Sequence, residues 1–401
     1  MELKIKNKLL VKFLNINQTI YKVIYIFLHI NHFIKPKVFN NFNEDNNNYL
    51  FFVIIQIGEF MKNIYDLDRI NLENYFFHNG EKRFRATQLF EGLYQKKYNS
   101  FDNFINIKKE TIELLKKNFI FSNIEIVEKE ETKDVIKYLF RLSDGNMIES
   151  VLMFHDYGNS LCVSSQIGCN MGCRFCQSGQ LKLIRNLNVH EMVCQLLIIE
   201  KDINKRISHV VLMGIGEPFD NYENVLKFIK IINDDKGLAI GARHITVSTC
   251  GLVPYIKKFM IEKRQVNLAV SLNAPNDELR NKLMPINKVY NLSSLINVIN
   301  EYIKKTNRRV TFEYIMLDNI NDSKDLAIEL CNLLKGINCY VNLIPFNTTN
   351  SSKFKKSSEV KIKQFYDILK KNKINVTIRK EFGQRISAAC GQLRANVIGG
   401  K

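Results

Sequence analysis

From residue 61 onward, apolar positions recur with the periods of regular secondary structure. Ala86, Leu89, Phe90, Leu93 and Tyr94 fall at i, i+3, i+4, i+7 and i+8, which predicts an amphipathic helix. Lys82, Arg83, Arg85, Lys96 and Lys97 decorate its ends and outer face. A second helix is expected over about 108–118. The apolar runs 138–142 and 147–153 flank Ser143-Asp144-Gly145-Asn146, and Asp-Gly between two such runs predicts a β-hairpin. Farther on, Asn188 followed by Glu191 reads as a capping box, with Val189, Met192, Val193, Leu196 and Leu197 as the buried stripe of the helix it starts. Residues 209–213, 244–248, 266–271, 310–315, 341–344 and 376–378 read as strands, with helical segments such as 222–233 between them. Alternating strands and helices imply a parallel sheet, either doubly wound or bent into a full or partial barrel.

Residues 1–60 depart from this pattern. They contain no Ala, their only Gly is Gly58, and Asn, Ile, Phe and Lys dominate. The apolar run 20–34 holds Lys22, His29 and His32 and is too short and too broken for a membrane span. Nor has the stretch the Arg- and Ser-rich composition of a targeting peptide. It is expected to be translated upstream sequence, the functional chain starting at Met61.

Composition adds two constraints. Lys and Arg total 58 against 40 Asp and Glu, a net charge of +18 that suits a polyanionic partner such as RNA. An A/T-rich coding sequence would also raise Lys, so charge favours RNA only modestly. There are nine cysteines, an odd number, and no convincing secretory signal. Metal-bound and catalytic thiols in a reducing, cytoplasmic compartment are therefore expected, rather than a disulfide framework.

Three of those cysteines stand together in Cys169-Asn170-Met171-Gly172-Cys173-Arg174-Phe175-Cys176. This C-x3-C-x2-C run can supply thiolates to three irons of a [4Fe–4S] cubane and leave the fourth iron open to chelate a substrate. A structural zinc site would want a fourth Cys or His nearby, and none is there. After the next strand comes Gly214-Ile215-Gly216-Glu217-Pro218, where glycines admit a ligand close to the backbone and Glu217 is placed for an ammonium group.

These motifs resemble the radical-SAM superfamily. Finer features resemble one family within it: Leu161-Cys162-Val163-Ser164-Ser165-Gln166, Ser248-Thr249-Cys250-Gly251, Leu283-Met284-Pro285-Ile286-Asn287, Ile344-Pro345-Phe346-Asn347 and Ala388-Ala389-Cys390-Gly391-Gln392-Leu393. Taken in order from about Met61 to Arg394, they are similar to the RlmN/Cfr family of radical-SAM RNA adenine methyltransferases, and closest to its RlmN branch. The resemblance implies an α/β fold: a helical accessory RNA-binding domain with a β-hairpin over 61–150, a partial (β/α) barrel over 155–385, and a catalytic tail over 386–401. It implies a [4Fe–4S] cluster on Cys169, Cys173 and Cys176. S-adenosylmethionine (SAM) would be held by Gly216, Glu217, Ser248, Ser271, Leu272, Asn273 and Asn347.

The implied reaction methylates adenine C2 in 23S rRNA and tRNA. Because C2 is electrophilic, Cys390 first takes a methyl group from one SAM. A radical made from a second SAM activates that methyl group to attack the base. Glu149 removes the C2 proton, and Cys162 attacks the Cys390 sulfur to release the product through a transient disulfide. A one-electron donor such as flavodoxin or ferredoxin is implied; a membrane is not. Cys194, Cys250, Cys331 and Cys339 are read as buried small hydrophobes. Two readings remain open beside this one: C8 methylation of the Cfr type, and a non-catalytic RNA-binding protein with a structural metal.

Three departures from the family pattern stand out. Asn273 replaces the usual His, so its contact to SAM is expected to be weaker or backbone-only. Gln177-Ser178-Gly179 replaces a small-residue-Thr-Gly run. Gln384, Arg385 and Ser387 replace acidic residues ahead of Cys390. Mass spectrometry of the native protein is expected to find Met61 at the N-terminus; peptides from residues 1–60 would overturn that reading.

Overall fold

The computed structural model describes residues 61–379 except 123, 263 and 348–352. The expectations for residues 1–60, for Gln384, Arg385 and Ser387 and for Cys390 lie outside the described residues. The main sheet has ten strands: β1 (Glu125–Glu131), β2 (Val135–Arg141), β3 (Met147–His155), β4 (Gly158–Cys162), β5 (His209–Leu212), β6 (Ile245–Thr249), β7 (Asn267–Ser271), β8 (Val310–Met316), β9 (Cys339–Pro345) and β10 (Val376–Ile378). Their order across the sheet is their order along the chain. β1 to β4 form an antiparallel meander, and from β4 to β10 every pairing is parallel.

That sequential order decides between the two architectures. A doubly wound sheet reverses its strand order at a switch point. Here the order never reverses, so with one hand of crossover the connecting helices fall on one face and the sheet curls toward a barrel. β1 and β10 are not paired to each other, which leaves the barrel partial.

Besides one turn of helix at Gln177–Gln180, the helices are α1 (Arg69–His78), α2 (Phe84–Tyr94), α3 (Lys109–Asn118), α4 (Val189–Ile203), α5 (Tyr222–Asn233), α6 (Val253–Ile261), α7 (Asp277–Leu283), α8 (Leu292–Thr306), α9 (Lys324–Leu334) and α10 (Glu359–Lys371). Alternation along the strands sends one set of side chains to these helices and the other to the barrel lumen. Val210, Leu212, Val247, Leu268, Val270, Phe312 and Leu343 join the main core with the helix residues. Val135, Met147, Val151, Met153, Cys162 and Ile215 make a second apolar cluster on the opposite face. No helix among the described residues is long and apolar enough to cross a membrane.

The hairpin expected alongside the accessory helices is continuous with the main sheet, because β3 pairs β4 and β4 pairs β5. Its turn forms as the Asp-Gly signal requires, with Gly145 at φ 82 and the Asn146 amide donating to Asp144. Helices α1–α3 share the main core. Polar ties add to that shared core: Arg69 to Asp234 at 3.0 Å, Lys230 to Asp68 at 2.8 Å, and the His190 amide to Asp66 at 2.8 Å.

The capping box of α4 is present, the Asn188 amide donating to Glu191 Oε2 at 2.8 Å. Glu191 also takes both ends of the Arg185 guanidinium, at 2.8 and 2.7 Å, and is itself buried. Replacing Glu191 with Ala removes a cap and one of the two carboxylates that pair Arg185, Asp144 at 2.7 Å being the other. The expected cost is about 2–3 kcal/mol in urea unfolding; a loss of only the cap's ~1 kcal/mol would show that the pair contributes little.

Candidate active site

One open cavity at the C-terminal ends of the parallel strands collects most of the residues singled out in the sequence. Cys169, Cys173, Cys176, Gly216, Glu217, Ser248, Ser271 and Asn273 all line it, and it encloses about 830 Å³ of empty space counting its mouth. Leu272 and Asn347 are not among its lining residues; the Leu272 side chain packs in the main core.

Cys169 is buried, and Cys173 and Cys176 are half-buried. Burial pushes the Cys169 thiol up to about 12, with Glu217, Cys176 and Asp220 adding to the rise. Burial raises Cys173 well above the ordinary thiol range too, and Cys176, Cys169 and Glu217 raise it further, while Arg280 opposes them. Three thiolates in such a place need positive charge among them, and coordinated iron supplies it. Among the described residues no three ligand side chains converge on a single ion. A cubane asks one thiolate for each of three irons, and the C-x3-C-x2-C loop brings three to the cavity wall. The donor set therefore fits a [4Fe–4S] cluster.

The glycines of the strand-end motif have a reason the sequence did not disclose. Gly216 sits at φ +107, and a Cβ there would meet Gln166 Cβ at 2.5 Å. The close approach is to the chain's own segment leading into the cluster loop, as well as to the cavity. Glu217 is buried, its oxygens accepting from the Phe219 amide at 3.1 Å and the Cys250 amide at 2.8 Å; burial raises its carboxyl above the usual range. Asn273 adopts the left-handed conformation, at φ 59, which Asn tolerates better than most residues. Its side chain is engaged by the Ile315 amide at 2.9 Å and by Met284 sulfur at 3.2 Å, so the cavity meets its backbone first.

Two buried polar devices hold this geometry, and neither was assigned a role from sequence. The first is Ser164-Ser165-Gln166. Ser164 Oγ donates to the Glu149 carbonyl and accepts from the Ile215 amide at 2.9 Å. Gln195 on α4 clamps the Ser164 backbone in both senses, at 3.0 and 3.1 Å. Gln166 Oε1 accepts from the Glu217 amide at 2.7 Å, and its Nε2 donates to Asn186 and Asp220 at 2.7 and 3.0 Å. The second is Arg280, fully buried on α7. Its guanidinium donates to the carbonyls of Leu272, Ser271 and Cys250 and to Asn287 Oδ1, at 2.8–3.1 Å. The same turn accepts from the cluster loop, the Arg174 amide donating to the Leu283 carbonyl at 3.0 Å. The run Leu283–Asn287 is thus a brace between the strand ends and the cysteine loop.

Glu149 and Cys162 lie on the lumen face of adjacent strands. Cys162 is opposite Val151 in the β3–β4 register, two residues from Glu149 on the same face. Both are buried, and Lys137 Nζ stands 3.6 Å from Glu149 Oε1. Cys162 packs with Ile215, beside Met213, which lines the cluster cavity. Among the described residues no disulfide joins two cysteines. Cys194, Cys250, Cys331 and Cys339 are buried in the core as expected, and Cys250 also lines the cavity beside the cluster cysteines. Glu313, on the lumen floor and held by Asn342 at 2.8 Å, was not anticipated.

Replacing Arg280 with Met leaves three carbonyls and Asn287 without their donor. Urea unfolding of the apoprotein is expected to lose about 3 kcal/mol or more, with iron uptake falling in parallel. Unchanged stability and iron content would refute the brace.

Comparison with known proteins agrees with this geometry. Residues 163–331 match the family model of the Radical SAM superfamily, and residues 62–120 that of the ribosomal RNA large subunit methyltransferase N-terminal domain. The chain is 50% identical over 339 residues to a protein of Spiroplasma citri named as a dual-specificity RNA methyltransferase RlmN, covering 84% of this chain and 98% of the relative. A protein of the same name from Acholeplasma laidlawii is 52% identical over 333 residues, covering 83% and 98%. The crystal structure of a radical SAM methyltransferase from Sphaerobacter thermophilus, 41% identical, superposes with a TM-score of 0.80 over 84% of this chain and 100% of that one. With matches of this extent at both the accessory helices and the barrel, the chain belongs to the RlmN family of radical-SAM RNA methyltransferases.

Proposed function

We propose that this protein methylates C2 of an adenine in 23S rRNA and in tRNA, using two SAM molecules per turnover and a cysteine as methyl carrier. The observation that carries the reading is the meeting of Glu149 and Cys162 on the lumen wall beside the cavity of the cluster cysteines, in a chain about half identical to relatives named as dual-specificity RNA methyltransferases.

When bound, the cluster and SAM would supply a methyl group and a radical that activates it. The rest falls to the chain. Cys169, Cys173 and Cys176 hold the iron. Glu217, Ser248, Ser271 and the backbone of Gly216 and Asn273 orient SAM, with Leu272 contributing backbone only and Asn347 closing the set from the end of β9. Cys390 carries the methyl group, which keeps a transferable carbon beside an electrophilic ring position. Glu149, held by Lys137, takes the C2 proton. Cys162 then attacks the Cys390 sulfur; the S–S bond forms as the C–S bond to the base-linked carbon breaks, that carbon takes up a proton to become the methyl group, and an external dithiol later reduces the disulfide. A flavodoxin- or ferredoxin-like protein supplies the electron, in the reducing cytoplasm.

The accessory helices are read as the RNA-binding part. Arg83 stacks over Phe77 at 4.7 Å and Arg85 over Phe84 at 4.9 Å, and the two rings are 59% and 50% exposed. Exposed rings capped by guanidinium groups suit an unpaired RNA strand better than a solvated helix face.

Replacing Cys390 with Ala is expected to abolish methylation while iron and sulfide content stay at wild-type levels; residual turnover would remove the covalent carrier. Mapping the methyl group in RNA treated with the wild type should find 2-methyladenosine, and 8-methyladenosine alone would contradict the C2 assignment.

A further inference from the structure

The cavity that holds the cluster cysteines continues into a second one at the N-terminal ends of the barrel strands. The two share Met213, Glu313 and Arg379 as lining residues, so the lumen runs from one to the other. The second encloses about 1130 Å³ on the same measure. Its wall carries Arg308, Arg309 and Arg379 against the single carboxylate of Glu313, with amide side chains between them. Arg308 donates to Asn267 at 2.7 Å, and its Nε is buried with no hydrogen-bond acceptor. Arg309 lies over the Tyr340 ring at 4.8 Å.

The rim beside these cations is a ladder of rings. His209 and His244 stack at 4.2 Å with planes 17° apart; Tyr157 meets His209 edge-on at 5.1 Å and stacks on His155 at 4.6 Å. His209 is two residues before Val211, which lines the cavity, so alternation along β5 puts it on the lumen face of the sheet; His244, in the turn leading into β6, stacks on it. Tyr157 is 67% exposed and belongs to neither apolar core. The fold gains little by holding a tyrosine in that position.

We infer that this mouth grips the RNA strand flanking the target adenine, the neighbouring base stacking on Tyr157 and the His209–His244 pair while its phosphates meet Arg308, Arg309 and Arg379. The inference rests on the RNA-methylation reading and adds a subsite to it. Cations beside stacked rings, Arg308 and Arg379 half-buried in the wall and Arg309 exposed, match a single strand, whose every base has a face to stack and whose every link carries a charge. A protein electron donor would instead need a broad, accessible basic surface.

The test uses an RNA hairpin with 2-aminopurine next to the target adenine, and the full-length holoenzyme. Wild type and Tyr157→Phe are expected to quench the probe. Tyr157→Ala should lose the quench and raise KM for RNA about tenfold with kcat little changed. Arg309→Gln should lower the slope of log Kd against log salt by about 0.7, one phosphate's worth. An unaltered quench and KM in Tyr157→Ala would overturn the inference. So would an Arg309→Gln enzyme that binds RNA normally but accepts electrons slowly from its protein donor. Because quenching reads binding and not turnover, a wild type that quenches without methylating would refute the reaction and uphold the mouth.

Discussion

The stretch Ser164-Ser165-Gln166 is where the chain leaves the barrel wall for the cysteine loop, and its buried hydrogen bonds set the register of the whole site. Toward β3 it holds the Glu149 backbone; toward the end of β5 it holds Ile215 and Glu217; through Gln195 it is fixed to α4. Each bond is ordinary in strength. Buried together, they allow one arrangement, because slipping any strand by a residue would orphan several polar groups at once. Gly216 completes the fit, since a side chain there would push this segment and the strand end apart.

Arg280 does the corresponding task on the other side of the cavity. A guanidinium taken wholly out of water is costly unless every donor finds an acceptor. Here three strand-end carbonyls and Asn287 take it. The charge also opposes the rise in the Cys173 thiol, so a group that stiffens the strand ends acts on the metal-ligand electrostatics too. The cavity is therefore preorganised by groups that do not themselves bind the cluster.

Much of this was legible in the sequence, for physical reasons. The C-x3-C-x2-C run is readable because ligands on one short loop must be close in sequence. Most strands and helices were readable because burial imposes a period. The exceptions lacked that imprint. In α1 only Leu72 and Phe76 are buried. β1 is an edge strand rich in Glu, as exposed edges tend to be charged. β4 reads Gly-Asn-Ser-Leu-Cys, with polar residues where a strand signal would want apolar ones. Ser164 and Gln166 could be quoted as motif residues and Arg280 carried no signal of its own, and their partners lie 31, 51 and 30 residues away. No local pattern reports such pairings. The lower mouth was invisible for the same reason, its rings and arginines coming from six separate strand ends and turns.

The central claim is that the methyl group passes through a cysteine and loses a hydrogen before it reaches the base. SAM bearing a CD3 methyl group tests that most directly, with the methylated adenosine read by mass spectrometry after a single turnover from unmethylated enzyme. A carbon activated by hydrogen abstraction should arrive carrying two deuteriums, the third appearing in 5′-deoxyadenosine. An intact CD3 group on the adenine would mean direct transfer and would contradict the account.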